Sequence, residues 1–307
     1  MFDGDSRREV SNISPYLVEG TDDIVQPRSF CSDQLSPMIT GNAAYDGGNL
    51  FLTSDSAREM IRNHPDLESN IRPVLGTSEF IDGKTRYCLW FADNELESAK
   101  SHPGTKERID AVLKYRKSGG QVARTLASRP HQFRYRHTCE TSQILVPQVS
   151  SERREFLPVG YLPSKYIITH LAHAIYNPTL IDLAILSSKL HLTWVTIICG
   201  KLETRIRYAS NLGWNTFPVP PLSDQNKSDL TRCAEDILLA REAHWPATIA
   251  ELYDPETMPD DLRAAHDRND ETLERIYIGR RFKNDTERLE TLFQMYTEMT
   301  AKVNANE

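Results

Sequence analysis

The run Pro218-Val219-Pro220-Pro221 is the feature that most limits what this chain can fold into. Three prolines in four residues fix φ and remove backbone donors, so neither a helix interior nor a central strand can pass through them. Before the run, short apolar stretches alternate with turn signals and helical patterns. After it, only helical patterns remain. The division predicts an α+β chain: a connection over residues 1–40, a mixed α/β body over 41–221 and a small all-α end over 222–307. With 307 residues there is room for about two cores.

Charge divides the same way. The net charge of -7 hides a basic block from Lys100 to Glu155, where twelve Lys and Arg face five Asp and Glu, and an acidic end from Leu222 onward, with eleven against nineteen. A phosphate-facing surface needs only a local field, because charges more than about 8–10 Å away are screened. The basic block is therefore a candidate footprint for a polyanion, and a solvated helix face accounts for it equally well.

Local patterns fill in the body. Ser54 is placed to cap a helix over Ala57 to Asn63, ended by Pro65. Asp82-Gly83, set between Glu79-Phe80-Ile81 and the aromatic run Tyr87 to Phe91, predicts a hairpin over Phe80 to Phe91. Thr105 to Lys117 reads as a helix, Ile144 to Val149 and Phe156 to Tyr161 as two strands, and Thr179 to Cys199 as one buried helix closed by Gly200. In the C-terminal part, helices are predicted after Ser223, after Pro259 and near Thr286 to Val303.

Several classes of function are excluded. Leu180 to Cys199 is interrupted by Asp182, Ser187, Ser188, Lys189 and His191, short of the roughly 20 apolar residues of a bilayer span. The opening residues are polar and acidic, unlike a secretory leader, so a cytoplasmic location without membrane contact is expected. Five scattered cysteines without a CxxC pair give no zinc ligand spacing, and His170 with His173 lacks further ligands. Asn177-Pro178 is followed by Thr179 and Leu180, so the Asn-Pro-Pro-aromatic loop that would hold a flipped base is missing. Gly47-Gly48 and Gly119-Gly120 lack the strand and helix context of a glycine-rich cofactor loop. No catalytic residue, metal or cofactor is therefore expected in this chain.

What remains is chemistry suited to a nucleic acid. In an extended Lys201 to Ala209, Glu203, Arg205 and Arg207 stand on one side of the chain. Arginine can donate a bidentate pair to guanine O6 and N7, and glutamate accepts from the cytosine amine. A salt-bridge ladder on a solvated strand fits the same residues. Ser150, Ser151, Arg153 and Arg154 offer hydroxyls and guanidinium groups for phosphate oxygens, or a solvated turn with surface ion pairs. Lys114, Arg116, Lys117, Arg134 and Arg136 supply the charge of the basic block.

Eight ordered segments carry a family resemblance. They are Ile13 to Glu19, Gly41 to Leu50, Ile71-Arg-Pro73 with Glu79-Phe80-Ile81, Arg86 to Trp90, Val149 to Arg154, Gly200 to Tyr208, Asn215 to Pro218 and Leu252 to Pro259. Together the chain resembles the target recognition region and C-terminal helical domain of MmeI-like, type IIL restriction-modification enzymes. These single polypeptides join a nuclease, an adenine-N6 methyltransferase and a DNA reader.

The resemblance implies that Glu203, Arg205 and Arg207 read bases and that Leu171 and His173 supply a reading partner. Near that partner the family's Pro-Asn-aliphatic pattern departs to Tyr176-Asn177-Pro178. It also implies double-stranded DNA as a partner, and an upstream methyltransferase core, in cis or in trans, that binds S-adenosylmethionine. The rival expectation is a docking module that packs on such a core without touching DNA.

Overall fold

The computed structural model describes residues 2–3, 6–7, 9–20 and 22–304. Met1, Gly4, Asp5, Arg8, Thr21 and positions 305–307 lie outside the described residues, and with them part of the predicted 1–40 connection. The chain forms two compact units. A framing unit comprises residues 1–38, 147–159 and 178–307; an inserted unit comprises 39–146 and 160–177. The helices that follow the proline run belong to the framing unit. The architecture is α+β, with mixed sheets and a C-terminal all-helical stretch.

The framing unit is organised around a helix that breaks. The predicted single helix from Thr179 to Cys199 is two, Leu180–Leu186 and Lys189–Ile198, meeting at 62°. Ser188 causes the break, because its hydroxyl caps the second helix by accepting from the His191 amide at 3.1 Å. The helix Asp260–Ile278 satisfies the backbone groups the break leaves over: His266 Nδ1 donates to the Ser187 carbonyl (3.0 Å), Asn269 Nδ2 donates to the Ala184 carbonyl (2.8 Å), and Asp270 accepts from the Lys189 amide (2.8 Å).

Two of these clamp residues are tuned by burial. His266 is completely buried, and its pKa lies well below the ordinary histidine value, so it stays neutral and accepts from the Tyr253 hydroxyl at 2.8 Å. Asp270 is pushed up to about 7, mainly by burial, and its second carboxyl oxygen has no partner among the described residues.

Around this clamp, Asp224–Ala243 buries Leu230, Cys233, Ala234 and Ile237, the i, i+3, i+4, i+7 face of a helix. Asp260–Ile278 ends at Gly279, whose φ of 77° is the left-handed cap that glycine adopts without cost. Trp214 and Phe217 are fully buried beside His191, and Trp194, also fully buried, lies edge-on to Phe217. No single helix among the described residues is long and apolar enough to cross a membrane.

The inserted unit holds two four-stranded sheets. In one, Ile71–Leu75 lies between Ile167–Ile168, with which it is parallel, and Arg86–Leu89, which runs antiparallel to it and to Phe51–Leu52. In the other the order is Met38–Thr40, Ala172–Tyr176, Ser142–Pro147 and Gly160–Pro163, the last two antiparallel. A core of Leu50, Val74, Leu89, Phe91, Ile109, Val112 and Phe133 underlies the first sheet. Gly41 is required where the chain passes Thr169, because a Cβ there would stand 2.3 Å from the Thr169 carbonyl oxygen.

Three local expectations are corrected. Phe80 to Phe91 is not a hairpin, because Thr77–Ile81 is helical: the Glu79 carboxylate accepts from the Gly76 amide at the head of that turn and pairs with Arg86 at 2.7 Å. Thr53, not Ser54, caps the helix Ser54–Asn63. Phe156 is a core residue of the framing unit, and the strand expected there starts only at Gly160, while Val149 belongs to a separate short strand, Val149–Ser150.

The Asp270 carboxyl gives a testable pH dependence. Its folded pKa is raised, so the folded state holds the proton between about pH 4 and 7 where the unfolded chain releases it, and stability falls as pH rises through that window. Asp270→Asn removes this fall. In urea titrations at pH 4 and pH 7.5, the stability of the variant relative to the parent should improve by about 2–4 kcal/mol on going to the higher pH. An unchanged difference would contradict the buried, proton-holding carboxyl.

Candidate nucleic-acid interface

The segment expected to present three side chains in a row folds as a hairpin. Lys201–Leu202 and Arg205–Arg207 pair antiparallel with Leu202 opposite Arg205, which leaves Glu203 and Thr204 as a two-residue loop. Glu203 takes φ of 58°, the positive value that such a loop needs at its first position. Glu203 is therefore at the tip and not in line with the arginines. Its carboxylate lies 2.8 Å from the Arg205 guanidinium, so part of the expected ion-pair ladder forms.

The two arginines do share a face. Ile206 and Tyr208 are buried at 5% and 3% exposure, which turns Arg205 and Arg207 outward by strand alternation. The inward residues are held firmly. Tyr208 places its hydroxyl 3.0 Å from His191 Nε2, on the second half of the broken helix. Burial draws the His191 pKa down to about 3, so a neutral ring meets the hydroxyl. Arg207, exposed, makes no ion pair among the described residues.

The other edge of Arg205–Arg207 pairs with Val149–Ser150, with Ile206 opposite Ser150 and Arg207 opposite Val149. The two segments singled out in the sequence are thus adjacent strands of one small sheet. Beyond Ser150 the chain turns out through Ser151, Glu152, Arg153 and Arg154. The Thr204 hydroxyl donates to Glu152 at 2.8 Å, and Arg153 pairs with Glu256 at 2.8 Å, both on the surface. The Glu152 carboxyl is held below its usual range by its own backbone amide, then by Thr204 and the nearby Arg205 and Arg153. Ser150 itself is buried, which corrects its expected role: its hydroxyl does not reach a phosphate at the surface. Arg154 is half-buried.

In the inserted unit the basic block is divided by burial. Lys114 and Lys117 are exposed on the helix Pro103–Ser118 and have no ion pair among the described residues. Arg116 is fully buried, which overturns its assignment to phosphate. Its guanidinium donates to the carbonyls of Tyr45, Ala44, Leu126, Arg129 and Gln132, and burial lowers its pKa to about 10. Thr105, Ile109, Val112 and Arg116 follow at four-, three- and four-residue steps, so the helical period itself places Arg116 on the inward face.

Arg136 is half committed to the structure, 2.6 Å from Asp93 and lying over the Trp90 ring. Arg134 stacks on Tyr45 and Tyr135 at 5.1 and 4.7 Å. Both tyrosines are more than two-fifths exposed. They were missed from the sequence, although Arg134-Tyr-Arg-His137 interleaves basic and aromatic residues as a nucleic-acid surface does. Leu171 is half exposed, and its carbonyl accepts from the Thr77 hydroxyl. His173 is buried in the all-buried start of the strand Ala172–Tyr176, so it does not present a reading edge.

A family model described as the MmeI target recognition domain matches residues 19–221, and one described as the MmeI C-terminal domain matches residues 222–304. The chain belongs to the MmeI family. DNA methyltransferase A of Bacillus subtilis (strain 168) is 38% identical over 303 residues, which cover 98% of this chain and 34% of that protein. The solved structure of the type IIL restriction-modification enzyme MmeI in complex with DNA superposes with a TM-score of 0.88 at 32% identity, over 95% of this chain and 39% of that one. This member of the MmeI family thus spans between a third and two-fifths of the length of these relatives.

The division of the basic helix is open to a direct check. Arg116→Met should lower the unfolding free energy by at least about 3 kcal/mol, because buried carbonyls lose their donor. Lys117→Ala should stay within about 0.5 kcal/mol of the parent in the same urea titration.

Proposed function

We propose that this chain is the sequence-reading part of a site-specific adenine-N6 DNA methyltransferase of the restriction-modification type. The single observation that carries the reading is Arg207: an exposed guanidinium with no acidic partner among the described residues, fixed outward by the buried neighbours Ile206 and Tyr208. A rigid strand that displays arginines every second residue matches what a major-groove reader needs. The Glu203–Arg205 pair is exposed and worth at most about 1 kcal/mol, so it opens at little cost when a base edge offers both groups a partner.

Support from the comparisons is of two kinds. The match to the MmeI target recognition domain covers the hairpin, and the superposed MmeI structure is a complex with DNA. In this reading Ser151, Arg153, Arg154, Lys114, Lys117 and Arg134 contact the sugar-phosphate backbone, and Tyr45 and Tyr135 give Arg134 an aromatic support. Methyl transfer from S-adenosylmethionine is the work of a methyltransferase core outside residues 1–307, and this chain alone does not catalyse it. The protein acts in the cytoplasm.

The experiment is equilibrium binding of the chain to a randomised duplex library and to the selected site, across a range of salt. Arg207→Ala should cost about 1–3 kcal/mol on the selected duplex and relax preference at one base pair. Lys117→Ala should weaken all duplexes alike and reduce the slope of log K against log salt by about 1. Absence of any salt slope in the parent would instead mark a docking module.

A further inference from the structure

We infer that the inserted unit carries a divalent transition-metal site made by His64, Asp66 and His102. The three residues come from two places in the sequence, His64-Pro65-Asp66 and His102, and are gathered by helix ends. His64 closes the helix Ser54–Asn63, Asp66 lies in the 3-10 turn Pro65–Asn70, and His102 precedes the helix Pro103–Ser118. One ligand atom from each lies within 4.8 Å of the others. His102 Nε2 is 2.8 Å from an Asp66 carboxyl oxygen, and the two imidazole rings are 4.4 Å apart at 50°.

The chemistry selects the ion. Two imidazoles and one carboxylate form a borderline-soft set that suits zinc and its neighbours, whereas magnesium and calcium prefer oxygen alone. Tetrahedral zinc with ligands at about 2.0–2.1 Å places them about 3.3 Å apart, so the ligand atoms, now within 4.8 Å of one another, would have to draw closer on binding. Three protein ligands leave a fourth position for water.

The surroundings favour a built site over a chance meeting. The His102 side chain is 18% exposed and the Asp66 side chain 67%, and the backbone of both histidines is restricted by a following proline: Pro65 follows His64 and Pro103 follows His102. The His64 ring nitrogens make no hydrogen bond among the described residues, so one face of the cluster lacks a polar partner. Bound metal would tie the end of the first helix to the head of Pro103–Ser118, the helix that displays Lys114 and Lys117.

The test is titration of the 307-residue chain, purified without a histidine tag, with cobalt(II) and then zinc(II). The expected result is one cobalt per chain with the strong visible absorption of a four- or five-coordinate ion, displaced by one equivalent of zinc. His64→Ala and His102→Ala should each weaken zinc binding by more than about 100-fold, since loss of an outer-shell partner alone costs about 10- to 100-fold. Asp66→Asn, close to isosteric, should weaken it with circular dichroism unchanged. Cys31→Ser with Cys139→Ser should leave it intact. Failure of the parent to bind cobalt saturably, or equal binding by the parent and His64→Ala, would overturn the site.

Discussion

The break between Leu186 and Lys189 is the constraint on which the framing unit depends. A helix interrupted in a core exposes carbonyls and amides that have no water to turn to, and each left unpaired costs about 1–3 kcal/mol. Ser188 answers two of them, accepting from the His191 amide and donating to the Ile185 carbonyl, and one helix answers three more: Asn269 donates to the Ala184 carbonyl, His266 to the Ser187 carbonyl at the break, and Asp270 accepts from the head of the second half. Because the three lie on Asp260–Ile278, the acidic helical end is part of what fixes the bend. The MmeI-type C-terminal domain therefore has a structural task in this chain, whatever else it touches.

The bend sets where the second half points, and with it the hairpin. His191 on that half meets the Tyr208 hydroxyl, and Cys199 at its end accepts from the Ala209 amide. Tyr208 and Ile206 are the inward teeth of a strand whose outward teeth are Arg205 and Arg207. Under the proposed function, a hairpin with a buried aromatic anchor loses little freedom on binding, which is the condition for discriminating between base pairs. Burial thus does the positioning, and the exposed charges remain free to be exchanged.

Much of this was legible in the sequence, and the failures have physical reasons. The α+β class with only helices after Pro221, and the outward pair Arg205 and Arg207, follow from backbone rules, whereas the compact units do not divide at the proline run, because residues 178–221 cluster with 222–307. The hairpin tip was hidden because Glu203-Thr204 lacks the Asn, Asp or Gly that announces a two-residue loop. The helix break was hidden because Ser187-Ser188 is neither Pro nor Gly, and its partners lie some eighty residues away. Arg116 was misassigned by reading charge before period: its spacing from Ile109 and Val112 places it inside. Ser150 and His173 were misjudged because short strands bury residue types that composition assigns to the surface.

A chemical double-mutant cycle between Arg207 and the duplex tests the central claim most directly. Once the preferred duplex is selected, each guanine in it is replaced by 7-deazaguanine, which lacks the N7 acceptor, and binding is measured with the parent and with Arg207→Ala. The account predicts one guanine at which the replacement costs the parent about 1–3 kcal/mol and costs the variant nothing further. Additive losses at every guanine would contradict an arginine that reads a base from this strand.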